Sequence, residues 1–166
     1  MDSKPKQTKN VIMKNLTASW PERDQESHAF FKNLNFEMKN GCFVGLIGPV
    51  GSGKSSFLSI LMNEMAILNG KLESPQKIAY CPQDSWIFMG TIRDNILIGR
   101  EFDRKKYENV TRVCSLVTDF AGFPNRDQTI VGEKGVTLSG GQKARINLAR
   151  ALYRSYFYYN IIYTSI

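Results

Sequence analysis

Apolar residues recur along residues 11–20, and apolar and polar positions alternate fairly well along 29–38, where Phe30, Leu34 and Phe36 are the apolar positions. Both runs read as strands. Pro21 ends the first, a charged loop at 22–27 separates the two, and Asn40-Gly41 closes the second as a turn. Such a pair predicts a small antiparallel sheet. Residues 42–47 are almost continuously apolar and read as a short buried strand. From Ser56 to Leu68 the period lengthens to that of a helix, with Phe57, Leu61, Met65 and Leu68 on one face and Asn69-Gly70 as its stop. Residues 71–73 and 76–81 read as strands around Pro75, and Pro82-Gln83-Asp84 breaks the chain. Asp103 is placed to cap a helix whose apolar face is Tyr107, Val110, Val113, Cys114 and Val117. Its opposite face carries Lys105, Lys106, Glu108 and Arg112, and residues 122–127 form a loop. The last amphipathic helix opens at Leu138-Ser139-Gly140-Gly141-Gln142. Ala144, Leu148, Ala151 and Leu152 face inward in this reading, and Lys143, Arg145 and Arg150 outward.

Composition adds limits. The chain has 166 residues, the size of one domain, with 42% hydrophobic and 22% charged residues, a globular composition. Residues 1–10 form a polar, basic lead-in expected to be disordered. The net charge of +7 is spread along the chain and suits an anion-binding site as well as a nucleic-acid surface. Cys42, Cys81 and Cys114 have no metal-ligand spacing, and His28 is the one histidine, so zinc binding and histidine catalysis have little material. Three cysteines that cannot all pair fit a reducing, cytoplasmic setting. No apolar run reaches the ~18 residues of a membrane helix.

Candidate chemistry begins at Gly48-Pro49-Val50-Gly51-Ser52-Gly53-Lys54-Ser55, which fits G-x-x-x-x-G-K-[ST]. It lies between an expected strand and an expected helix. Glycines let consecutive N–H groups curl toward phosphate, and the helix start adds unpaired donors and partial positive charge. Lys54 brings a full charge to the β- and γ-phosphates, and the Ser55 hydroxyl suits Mg²⁺. Trp20, at a strand end, is either an adenine-stacking ring or a half-buried structural one. Gln83 follows a strand at its carboxyl end, where α/β sheets place ligand-contacting groups, and is equally an ordinary exposed loop residue. Ser139 with two glycines at a helix start forms a second anion site by the same logic.

Together these pieces resemble the nucleotide-binding domain of ATP-binding cassette (ABC) transporters. Residues 48–55 match its Walker A loop, Gln83 its Q-loop glutamine, Trp20 its A-loop aromatic, Leu138 to Gln142 its LSGGQ signature, and Gly132-Glu133-Lys134-Gly135 its X-loop region. The resemblance covers residues 11–154. The runs 48–51, 78–83, 90–96 and 143–151 are similar to subfamily C, the multidrug-resistance-associated exporters, the first of them to their N-terminal nucleotide-binding domain. The resemblance implies an α/β P-loop NTPase core with an antiparallel β subdomain and a helical subdomain at about 86–138. It assigns ATP to Trp20, Gly48, Gly51, Ser52, Gly53, Lys54, Ser55, Ser56 and Gln83, with Mg²⁺ at Ser55 and Gln83. Leu138, Ser139, Gly140, Gly141 and Gln142 would meet a second ATP held by a partner domain, the two domains packing head to tail. Transmembrane domains of a parent exporter would be the other partners, placing this domain on the cytoplasmic side of a membrane. No nucleic-acid partner is implied.

The pattern breaks after residue 154. The family's signature helix leads to a strand ending in two acids, which position metal and water for phosphoryl transfer. Here residues 155–166 read Ser-Tyr-Phe-Tyr-Tyr-Asn-Ile-Ile-Tyr-Thr-Ser-Ile, and Glu133 is the last acid. Residues 158–162 are able to fill the vacant strand, and are an aggregation hazard if they do not. The reading is of a C-terminally incomplete domain with an aberrant tail, a fragment or alternative product, with no catalytic acid, weak or no ATP binding and no turnover. Two other functions compete. A soluble ABC-type ATPase of chromosomes or DNA repair would carry a coiled coil or zinc insert between the loops, which residues 55–138 lack. A non-hydrolysing remnant is the third.

Overall fold

A computed structural model of the chain describes residues 10–21, 29–42, 44–75, 78–133 and 135–154, and the backbone of 161–163. The expected disorder at the N-terminus, the charged loop, Phe43, Gln76, Lys77, Lys134 and the side chains of the tail lie outside the described residues. The chain divides into two compact units, with the break between Ile78 and Ala79.

The first unit is built on β1 (Val11–Ser19), the middle strand of an antiparallel sheet with β2 (Phe31–Met38) and β3 (Ala66–Glu73) on its two sides. Val11, Met13, Leu16 and Ala18 are all buried although their spacing is not a plain alternation. Asn15 resolves this. Its φ of 45° and the register shift between Met13 and Leu16 in the pairing with β2 insert a bulge, so both halves of the strand bury the same face. The antiparallel pairing read from the sequence is present, with β3 as a third strand.

Between β2 and β3 lies α1 (Lys54–Leu61), shorter than expected. Asn63, at φ 58°, turns the chain left-handed, its N–H donates to the Ile60 carbonyl, and the Glu64 N–H donates to Ser59. That is a Schellman stop, which asparagine accepts without glycine. The apolar period through Met65 and Leu68 belongs instead to a loop and to β3, and Asn69-Gly70 lies inside that strand, Gly70 opposite the bulge of β1. Among the described residues of 42–47, where a strand was expected, none forms one. Residues 44–49 have no ladder partner, and Ile47 is 99% exposed. An apolar run needs a neighbour on each side to form a buried strand.

The second unit holds β4 (Ala79–Cys81), β5 (Gly90–Thr91), α2 (Ile92–Leu97), α3 (Arg104–Val113), α4 (Leu116–Ala121), β6 (Ile130–Val131), α5 (Gly140–Arg154) and β7 (Ile161–Tyr163). Its core gathers Ile92 and Ile96 of α2, Tyr107 and Val110 of α3, Leu116, Leu138, and Ile146, Ala149 and Tyr153 of α5. Asp103 caps α3 as expected, accepting from the Lys106 N–H at 3.0 Å. Val113 and Val117 are more than half exposed, contrary to the helical face assigned to them. Ser115, at φ 57°, splits that helix in two and turns the second half out of phase. β7 pairs in parallel with β4, Ala79 opposite Ile161. The tail therefore supplies a strand, as its aromatic and β-branched residues suggested.

Candidate functional site: two glycine-rich helix starts

The phosphate loop of the first unit is shaped by three glycines. Gly51 and Gly53 sit at φ 84° and 88°, where a side chain would be strained. A Cβ on Gly48 would stand 2.8 Å from Ser52 Oγ. The loop tightens through a 3.2 Å hydrogen bond from the Ser52 N–H to the Pro49 carbonyl. Gly53 caps α1 with no side chain, so no side-chain oxygen competes for the donors at its first turn. Lys54 folds back over the loop, its Nζ donating to the Gly48 and Pro49 carbonyls at 2.8 and 2.9 Å. A cationic head is thus held against the loop's own carbonyls. This arrangement fits a phosphate chain, and the exposed Ser55 beside it offers a hydroxyl to Mg²⁺.

The sequence did not single out what supports this loop. A Cβ on Gly53 would lie 3.3 Å from the Phe30 ring and 3.4 Å from that of Phe31, and these rings meet edge to face at 5.1 Å. Phe36 makes a second such contact with Phe57 of α1, also at 5.1 Å. Adjacent aromatics opening a strand were the available signal. Trp20 directly follows β1 and is half-buried.

In the second unit Gln83 is exposed two residues beyond β4. The signature loop is anchored by Leu138, buried in the core, while Ser139, Gly140 and Gly141 are exposed. Ser139 and Gln142 form a reciprocal cap. Ser139 Oγ accepts from the Gln142 N–H at 3.2 Å, and Gln142 Oε1 accepts from the Ser139 N–H at 2.9 Å. Two side chains of LSGGQ therefore fix the start of a 15-residue helix, and its glycines leave backbone N–H groups facing solvent.

Two arginines of α5 do not point outward as read from the sequence. Arg145 makes a two-pronged pair with Asp119 at 2.7 and 2.8 Å, which holds its own pKa above the ordinary value. Arg150 donates to the Asn95 carbonyl at 2.8 Å, to Asn95 Oδ1 at 3.2 Å and to the Trp86 carbonyl at 2.8 Å, with its guanidinium 5.2 Å from the Trp86 ring centre. Burial pulls its pKa below the ordinary value. Helical periodicity treats arginine as polar and outward. It cannot show that α5 is packed on several sides at once, by α2, α3, α4 and β4.

A phosphate loop opening one helix and a capped glycine pair opening another define a P-loop nucleotide-binding protein of α/β class. The family profile described as ABC transporter matches residues 31–157, and the chain belongs to that family. It is 44% identical over 145 residues to multidrug resistance protein mrp-7 of Caenorhabditis elegans, which covers 87% of this chain and 10% of that protein. It is 41% identical over 143 residues to ABC transporter C family member 3 of Dictyostelium discoideum, covering 86% and 10%. Against human ATP-binding cassette sub-family C member 2 it is 46% identical over 132 residues, covering 80% and 8%. The chain spans about a tenth of the length of these curated relatives. Their names do not favour the chromosome or DNA-repair reading.

Proposed function

We propose that this chain is the ATP-binding part of an exporter of the multidrug-resistance-associated type, whose parent couples ATP binding and hydrolysis to transport. One observation carries the reading. A chain of the ABC transporter family holds both half-sites that a two-ATP sandwich needs, a phosphate cradle at 48–56 and an exposed, capped helix start at 138–142. Gly48, Gly51, Ser52, Gly53, Lys54, Ser55 and Ser56 hold the phosphates, Ser55 and Gln83 serve Mg²⁺, and Trp20 stacks on the base. Ser139, Gly140 and Gly141 reach the γ-phosphate of an ATP on a second nucleotide-binding domain, joined head to tail. Residues 86–138 form the helical subdomain that meets transmembrane domains. Among the described residues no helix is long and apolar enough to cross a membrane, so in this proposal the parent's other segments hold the domain at the cytoplasmic face.

The chain does not hydrolyse ATP in this proposal. ATP would supply the phosphate chain that these groups bind. Hydrolysis also needs carboxylates to position metal and water, and no acid follows Glu133. β7 brings Ile161, Ile162 and Tyr163 alongside β4 instead. Calorimetric titration of the folded chain with Mg-ATP tests both halves. Weak binding lost in Lys54→Ala, with no phosphate release, is the expected result. No binding by a folded wild-type chain would overturn the nucleotide reading for this chain, and steady phosphate release abolished by Lys54→Ala would overturn the non-hydrolysing one.

A further inference from the structure

Away from both glycine loops, the second unit has a cavity of about 640 Å³ where the chain enters α3 and the end of α5 passes beneath it. Five cations line it: Arg100, Arg104, Lys105, Lys106 and Arg154. Only Glu101 and Asp103 oppose them from the same walls. The Asp103 carboxylate is engaged as the cap of α3, and Arg104 is already paired with Glu108 at 2.8 Å. Arg100, Lys105 and Arg154 have no carboxylate partner among the described residues. Three exposed cations without a carboxylate partner thus border one open depression.

The walls are built and not merely exposed. The Tyr153 hydroxyl, on a residue 2% exposed, donates to the Glu101 carbonyl at 2.7 Å and accepts from the Asp103 N–H at 2.8 Å. It ties the 101–103 turn to α5. Arg93 lies over the Phe102 ring at 4.7 Å, Lys106 lies over the Tyr153 ring at 4.6 Å, and Phe102 packs on Tyr107 at 5.3 Å. Guanidinium and ammonium groups bordering this tied turn suit a compact anion with several charges, phosphate oxygens above all.

We propose that this cavity binds an oligophosphate anion, a group of two or more phosphates on one small scaffold, separately from the Walker loop. Such a group is found on soluble metabolites and on phosphorylated lipid headgroups, and the test separates the two. The full chain is titrated at low salt with inositol trisphosphate, then with phosphatidylcholine vesicles with and without phosphatidylinositol bisphosphate. Binding of inositol trisphosphate is expected in wild type and in Lys54→Ala alike. Arg100→Glu and Lys105→Glu are each expected to weaken it about tenfold or more. Lys71→Glu, which makes the same change of charge on an exposed strand residue of the other unit, is expected to leave it unchanged. Lys105→Gln and Arg154→Gln, milder changes, keep the test open if a charge reversal fails to fold by circular dichroism. Binding to the soluble headgroup alone assigns a free oligophosphate, and binding to the doped vesicles as well assigns a lipid. No binding by wild type, equal loss in Lys71→Glu, or loss confined to Lys54→Ala would overturn the proposal.

Discussion

Arg150 grips Asn95 twice, through Nε to the backbone carbonyl at 2.8 Å and through Nη2 to Oδ1 at 3.2 Å. Asn95 is fully buried, and its amide donates to the Phe88 and Thr91 carbonyls at 3.0 Å each while its Oδ1 also accepts from the Phe88 N–H. Every polar atom of this side chain is therefore used, and the signature helix is bolted to the 86–95 segment through it. Removing one member of such a network leaves buried acceptors without donors. Arg150→Ala is expected to destabilise the unit by about 3 kcal/mol, and Arg150→Lys by about 2 kcal/mol, because an ammonium cannot reproduce the planar fork. Urea unfolding followed by far-ultraviolet circular dichroism measures both.

Gly70 faces the Asn15 bulge across the sheet. It sits at φ 84°, and a Cβ there would run into the Asn15 carbonyl. Both the backbone angle and the space exclude a side chain. Gly70→Ala is expected to cost about 2 kcal/mol or more. Hydrogen exchange should show the loss concentrated in β1 and β3, with the amides of α3 and α5 unchanged.

Acid sensitivity should include a contribution from the start of α2. The Asp94 carboxylate accepts from the Thr91 hydroxyl at 2.6 Å and from the Thr91 N–H at 3.0 Å, and these bonds hold its pKa below the ordinary value. A carboxyl depressed by folding stabilises the folded state fully above its unfolded pKa of about 4, and that contribution fades as pH falls through the lower folded value. Asp94→Asn should therefore melt below wild type at neutral pH, and the gap should narrow as the pH falls below about 4. Paired thermal melts across that range provide the check.

The three thiols should separate sharply by reactivity. Cys42 is exposed, whereas Cys81 and Cys114 are buried, and burial pushes each of their pKa values up to about 11. The thiolate is the reactive form. Brief alkylation at neutral pH, read by peptide mass spectrometry, should label Cys42 alone, and all three after denaturation. Labelling of Cys81 in the folded chain would mean that the contact of its thiol with the Asn147 carbonyl opens readily.

The local chemistry was legible in the sequence because it is local. The glycines of 48–53, Lys54, Ser139 at a helix start, the Asp103 cap and the antiparallel start of the chain all act over a few residues, and each stands where its pattern placed it. Even the tail's tendency to form a strand was visible in its β-branched and aromatic residues, though its pairing with β4 was not. What failed were phases and extents. Asn63 and Ser115 adopt left-handed backbone that residues other than glycine take up only in context, and each ended a helix where the hydrophobic period ran on.

The sequence by itself determined the family, through the glycine-lysine loop at 48–55 and the LSGGQ run at 138–142. Tertiary structure alone decided the inward turn of Arg145 and Arg150, the aromatic support of Phe30 and Phe31 beneath Gly53, and the gathering of Arg100, Lys105 and Arg154 around one cavity. The physical reason is the same in each case. A short motif fixes its own backbone through neighbours in sequence, whereas the partner of a long charged or aromatic side chain is set by whichever distant element packs against it.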